Sequence, residues 1–163
     1  MTPGTQPKDL MKIGVLSDTH GFLDPRVEKI FKGVQHILHA GDIGFASIIL
    51  ELQFIAPVTA VLGNCDGTIG FRLTETVELA AKKFLVHHIV NPWAPSETLA
   101  QHLAKQRPDV VVFGHTHKKL AETVNGMLFF NPGYAGKPKP GAERSVAILH
   151  VDGQGIRHEF IPL

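Results

Sequence analysis

The amino-acid sequence predicts an α/β fold, and three observations carry that reading. Short apolar, β-rich runs alternate with segments whose apolar residues recur at helical spacing over the first two thirds of the chain. Several of these runs end alike, in a glycine or tight polar cluster bearing Asp, Asn or His, at the position where open α/β sheets gather ligands. The last third changes to paired strands, beginning at Asn125-Gly126, the signature of a tight hairpin.

Residues 1–10 hold Pro3, Gly4 and Pro7 and lack the apolar stretch of a signal peptide. They read as a disordered leader, with Met11 a second candidate start, and 11–163 reads as one domain, as the length of 163 residues suggests. Met11 to Leu16 is the first strand, and it breaks into Ser17-Asp18-Thr19-His20-Gly21. Asp24-Pro25 has the chemistry of a helix start, with Val27, Ile30, Phe31 and Val34 as the apolar stripe. Gln35 to His39 is a second strand, ending in Ala40-Gly41-Asp42-Ile43. Phe45, Ile48, Ile49, Leu52 and Ile55 form one face of a second helix that Pro57 stops.

A third strand over Val58 to Leu62 ends in Gly63-Asn64-Cys65-Asp66-Gly67. From Phe71 an irregular segment leads to a strand at Thr76 to Leu79. The chain turns at Ala80 to Lys83 into Phe84-Leu85-Val86, which ends in His87-His88. Ser96 caps a helix over Glu97 to Gln106 with Leu99 and Leu103 inward. Pro108 leads into Val110-Val111-Val112-Phe113, whose β-branched residues mark a buried strand, and this runs into Gly114-His115-Thr116-His117. After the Asn125-Gly126 turn, Phe129-Phe130 meets Asn131-Pro132-Gly133-Tyr134. Gly136 to Gly141 reads as a mobile loop, and Ser145 to Val151 pairs with Ile156 to Ile161 in a closing hairpin.

Composition excludes several classes. Net charge is +1, and the pairs Lys82-Lys83 and Lys118-Lys119 are isolated, so nothing suggests a nucleic-acid groove or an acidic membrane surface. No apolar run approaches the ~18 residues of a membrane helix. A single cysteine, Cys65, rules out an internal disulfide and fits a reducing cytoplasm.

Five strand ends therefore offer Asp18 with His20, Asp42, Asn64, His87 or His88, and His115 with His117. Each has an ordinary explanation alone: Asp18 or Asp42 could cap a turn or helix, and Asn64 could occupy a left-handed turn position. Five coincidences at one sheet edge are a different matter. Asp, Asn and His without cysteine suit manganese, iron, zinc or nickel, and they are too many for one ion. Two ions ~3.5–4 Å apart could share a hydroxide that attacks phosphorus while both neutralise the oxygens. Asp42, alone at its strand end, is the candidate bridge. His36, His39, His102, His150 and His158 receive no role. Phe45, Phe54 and Phe84 read as core residues, and Cys65 as either a buried filler or a site residue.

Asp18-Thr19-His20, Gly41-Asp42, Gly63-Asn64-Cys65-Asp66, the histidine after the Phe84 strand and Gly114-His115-Thr116-His117 together resemble the calcineurin-like metallophosphoesterase superfamily. The short length, Asn64-Cys65-Asp66 and Asn131-Pro132-Gly133 resemble its small bacterial and archaeal phosphodiesterase branch, which includes the retromer's metallophosphoesterase-like subunit. The resemblance implies a four-layer α/β/β/α sandwich of two mixed β-sheets flanked by helices. It implies one metal on Asp18, His20, Asp42 and His117, and a second on Asp42, Asn64, the strand-end histidine and His115. Alignment with the family favours His88 over His87.

Cys65 stands where many relatives carry a histidine that donates a proton, and Tyr134 where the small branch commonly has serine. The implied function is a cytoplasmic, manganese-dependent phosphodiesterase acting on a small phosphoester, with Asp42, Asn64, His115 and Cys65 as the candidates at the chemistry. The alternatives are a protein-interaction scaffold of the same fold and a metal-dependent nuclease, the latter disfavoured by charge. A homo-oligomer stays open.

Overall fold

The structure, a computed structural model, describes residues 10–67 and 69–163. The leader expected over residues 1–10 lies outside these, apart from Leu10, which is exposed. One five-stranded sheet contains β1 (Met11–Leu16), β2 (His36–His39), β3 (Val58–Ala60), β9 (Ser145–Asp152) and β10 (Gly155–Pro162), in the order β10-β9-β1-β2-β3. The other contains β4 (Thr74–Leu79), β5 (Lys82–His87), β6 (Val110–Val112), β7 (Leu120–Val124) and β8 (Met127–Asn131), ordered β4-β5-β6-β8-β7. In the first, β1, β2 and β3 run parallel while β9 and β10 are antiparallel. In the second, β5, β6 and β8 are parallel and the edge strands antiparallel.

Period-two alternation assigns each side chain to a layer. Ile13, Val15, Leu38, Phe84, Val86, Val110, Val112, Phe130, Ala147 and Leu149 point inward and form the core between the sheets. Their neighbours point outward: Leu16, Ile37 and Val146 take α1 (Arg26–Ile30) and α2 (Ala46–Gln53), and Leu85, Val111 and Phe129 take α3 (Glu97–Gln106). The result is the four-layer sandwich. Ser96 Oγ accepts from the Leu99 amide at 3.3 Å, so the third helix begins as its cap predicts.

Local readings needed correction at three places. The first helix ends at Ile30 and does not extend to Val34, because the chain turns through Gly33 (φ +88°) to enter β2; Phe31 and Val34 are still buried. Phe45 and Phe54 are not core: they are 64% and 92% exposed, whereas Phe84 is fully buried. Phe45 precedes the helix in extended conformation, and Phe54 lies about 200° around the axis from Leu52, away from the sheet. Cys65 is exposed, so it is not a buried filler. His36 is half-buried at the start of β2 and bonds Thr59 Oγ1 at 2.8 Å.

Candidate metal centre

Loops that follow β1, β2, β3, β5 and β6 meet at one edge of the sandwich, so residues far apart in sequence face each other. Asp18 is fully buried after β1. Its Oδ2 accepts from Ser17 Oγ at 2.7 Å and from the His115 amide at 3.1 Å. Its Oδ1 faces three imidazoles, with His117 Nε2 at 3.2 Å, His20 Nε2 at 3.7 Å and His88 Nε2 at 3.8 Å. Asp42 repeats the arrangement. Its Oδ1 accepts the Cys65 amide at 2.8 Å, and its Oδ2 faces His88 Nε2 at 3.3 Å and His20 Nε2 at 3.6 Å. In both aspartates one oxygen accepts a backbone amide and the other faces imidazole nitrogens.

His88 carries the clearest signal in the cluster. Its Nδ1 donates to the Ala40 carbonyl at 2.7 Å, which leaves Nε2 as an acceptor facing two carboxylates. Asp18 Oδ1 and His88 Nε2 are the buried side-chain polar atoms without a hydrogen-bond partner among the described residues. Such an orphan costs ~1–3 kcal/mol, more when charged, so two acceptors converging on one point fit a cation between them. Oxygen and imidazole donors without thiolate suit a divalent transition metal. On the exposed side, Asn64 Oδ1 lies 3.1 Å from His115 Nδ1, and the His115 ring is 5.4 Å from that of His88. His20 and His117 form a second ring pair at 5.8 Å. His87 is turned away: its Nδ1 hydrogen-bonds Thr74 Oγ1 on β4 at 2.8 Å.

Backbone geometry shows how tightly these groups are held. Asp18, His20, Asp42, His115 and His117 all have φ between 47° and 69°, a region that non-glycine residues seldom occupy and that clusters at functional sites. Glycine makes room for two of the crossings. A Cβ on Gly63 would strike the Asp42 carboxylate, and one on Gly114 would strike Ser17 Oγ and Asp18 Oδ2.

Supporting residues carried little signal in the sequence. His39 is fully buried beneath the loops, and burial pushes its ring down to about 3, so it is neutral. The Gly41 amide donates to its Nδ1 at 3.2 Å, which puts the proton on Nε2, donated to Thr19 Oγ1 at 2.9 Å; Thr19 in turn donates to the Ile43 carbonyl at 2.9 Å. Asp66 accepts amides of Ile43, Gly44 and Gly63 at 2.9–3.0 Å. Burial works to raise its carboxyl, but the amides of Gly63, Gly44 and Ile43 outweigh it and hold the group below its usual value. Asn131, in Asn-Pro-Gly, donates to the Gly114 carbonyl and to Thr116 Oγ1, each at 3.1 Å. Asp66 and Asn131 could have been found by their turn motifs; His39 looks like one more strand residue.

A pH effect follows from His39. Its folded pKa lies below the ~6.5 of an unfolded histidine, so the unfolded chain binds more protons between those values. The stability it contributes is complete above pH ~6.5 and declines as pH falls toward the folded value. In His39→Gln, urea midpoints measured from pH ~7 to ~4.5 should fall less steeply than in the parent.

Residues 11–154 match the family described as the calcineurin-like phosphoesterase superfamily domain. The chain belongs to that superfamily. Among curated relatives of this phosphoesterase, a probable metallophosphoesterase of Methanothermobacter thermautotrophicus is 33% identical, covering 93% of this chain and 92% of the relative. Phosphodiesterase YfcE of Escherichia coli is 32% identical over 88% and 89% of the two chains. Among solved structures, Vps29 from Entamoeba histolytica superposes with a TM-score of 0.74 at 23% identity, covering 94% of this chain and 99% of that one, and so shares the fold. Use of divalent metal ions by this family is in keeping with the orphaned acceptors of this phosphoesterase. No helix among its described residues is long and apolar enough to cross a membrane.

Proposed function

We propose that the protein is a two-metal phosphodiesterase acting on a small phosphoester, and that Asp42 joins the two ions. The observation that carries this reading is the convergence of Asp18 Oδ1, Asp42 Oδ2 and the bare His88 Nε2 on three buried side chains. Asp18, His20, Asp42 and His117 would hold one ion, and Asp42, Asn64, His88 and His115 the other. Manganese fits these donors, as do iron, zinc and nickel. When bound, two such ions supply Lewis acidity to the phosphoryl oxygens and an acidified water as nucleophile. Asp18 and Asp42 keep the centre anionic enough to retain cations. Exposed Asn64 and His115 line the side from which a phosphoester enters, and their 3.1 Å contact sets the spacing of that rim. The exposed free thiol of Cys65 fits an enzyme of the cytoplasm.

A scaffold of this fold is the competing reading. Each of the seven candidate positions keeps a metal-capable side chain, which a protein using only its outer surface has no need of. Elemental analysis after manganese loading, paired with a panel of phosphomonoesters, phosphodiesters and cyclic nucleotides, tests the reading. Two ions per chain and turnover of a diester are expected; one ion or fewer, or no turnover by fully loaded protein, would refute it.

The two adjacent histidines give a sharper check. His88→Ala should lower the manganese content by about one ion per chain, whereas His87→Ala, which loses only the Thr74 bond, should leave it unchanged. The reverse ranking would move the ligand to His87.

Cys65 tests the leaving-group chemistry. Loss of solvation and the nearby Asp42 carboxylate push its thiol up, so it is protonated at neutral pH. A thiol is a poor substitute for an imidazole as general acid, a role worth ~10²–10⁴-fold. Cys65→Ala should therefore keep most activity on an activated aryl diester, and Cys65→His should improve alkyl diesters. Loss of two or more orders of magnitude on the aryl substrate in Cys65→Ala, with metal content unchanged, would assign the thiol a direct role.

A further inference from the structure

Tyr134 lies at the rim of the centre, in contact with one metal-ligand candidate and with one lysine that the metal reading does not use. Its ring stacks on the His117 imidazole at 4.8 Å between centroids and 24° between planes. Lys139 Nζ stands over the same ring, 4.5 Å from its centroid. The ring is buried, but Lys139 is exposed.

The segment bearing this lysine is braced. Tyr134 Oη donates to the Lys137 carbonyl at 2.9 Å, Arg144 Nε donates to the Gly136 carbonyl at 2.7 Å, and the Ala142 amide donates to the Lys139 carbonyl at 3.2 Å. Pro138 and Pro140 flank Lys139 and fix φ on both sides of it. Lys119 pairs with Glu143 at 3.6 Å. Lys139 has no carboxylate within 4.0 Å among the described residues. A braced arm thus holds an ammonium without a carboxylate partner over an aromatic ring that also stacks on a metal-ligand candidate.

An exposed cation–π contact is worth only ~0.5–1 kcal/mol, less than a charge-assisted bond to a phosphate oxygen, so an arriving phosphoryl group outcompetes the ring. We propose that Lys139 is a substrate-binding residue that takes a non-bridging oxygen of the phosphoryl group, and that Tyr134 is the positioning residue that stores its ammonium beside His117. The inference rests on the phosphoesterase reading for its substrate class. It assigns a use to Tyr134, whose ring offers the face on which the cation rests.

Inorganic phosphate is a probe that needs no turnover. Binding of phosphate to manganese-loaded protein should weaken ~10–100-fold in Lys139→Ala, the worth of a hydrogen bond to a charged partner, and recover in Lys139→Arg. Lys139 is exposed, so neither change threatens the fold. With a diester substrate, Lys139→Ala should raise KM by a similar factor while kcat moves much less. Tyr134→Leu, which removes the ring, should weaken phosphate binding in the same direction with two ions per chain retained.

Equal phosphate affinity in the parent and Lys139→Ala overturns the proposal, as does a parent that binds no phosphate. A parent that hydrolyses no ester yet loses phosphate on Lys139→Ala refutes the phosphoesterase reading and leaves the anion contact standing.

Discussion

Asp42→Asn is expected to abolish phosphoester hydrolysis, with kcat/KM on an aryl diester falling by at least ~10³-fold. One carboxylate that serves two ions takes charge from both when it is neutralised; a loss of several kcal/mol corresponds to that factor at ~1.4 kcal/mol per decade. The fold should persist. Asparagine keeps an oxygen where Asp42 Oδ1 accepts the Cys65 amide, and nothing in the sheets depends on the lost charge. Manganese content, circular dichroism and kinetics on one preparation check the result. Activity within a few fold of the parent would remove Asp42 from its bridging role.

The largest effect on stability is expected at Asp24. Its Oδ2 takes Arg144 Nη2 at 2.9 Å, both side chains being 6% exposed, and the same carboxylate takes Arg26 through Nε at 3.0 Å and Nη2 at 2.8 Å. The Arg26 contact reaches solvent, which screens it; removing Asp24 strands the buried Arg144 charge. Asp24→Ala should lose ~3–5 kcal/mol in urea denaturation, and adding Arg144→Leu should restore part of it. A loss under ~1 kcal/mol would mean that Arg144 finds water.

The acid limb follows from the same contacts. The Arg26 hydrogen bonds foremost, with Arg144 adding to them and burial opposing, hold the Asp24 carboxyl well below the usual carboxylate range. A folded pKa depressed in this way gives stability that is present above the unfolded value of ~3.9 and lost as pH falls below it. Asp24→Ala should remove that part of the acid transition.

Much of the architecture was legible because local signals were strong. Met11–Leu16 and Glu97–Gln106 have the bounds read from apolar runs and the Ser96 cap. Phe45 and Phe54 were misread because periodicity counts apolar residues without knowing where a helix starts or which side meets a sheet. The short first helix was overextended for a related reason: its stripe continues through Phe31 and Val34, which stay buried in a turn. Strand order was not legible at all. That β8 inserts between β6 and β7, parallel to one and antiparallel to the other, is settled by long-range pairing.

For the site, the sequence singled out the residues that the fold brings together at one edge because each follows a strand and several follow glycine. It could not choose between His87 and His88, which adjacent positions on a strand send to opposite faces; here Thr74 takes the first and Ala40 the second. His39 and Thr19 were invisible because their part is to fasten two loops through a proton chain. Nothing in a single sequence distinguishes that from ordinary packing.

Asp18 and Asp42 follow strands of one sheet, whereas His88, His115 and His117 follow strands of the other. A cation held among them therefore cross-links the two halves of the sandwich. At a hundredfold excess over its dissociation constant a ligand that binds only the native state contributes ~2.7 kcal/mol to it. Chelation then acts as a denaturant aimed at one edge of the molecule: the sheets, still packed through Val86, Val112 and Val15, would first part at the end where the chemistry sits.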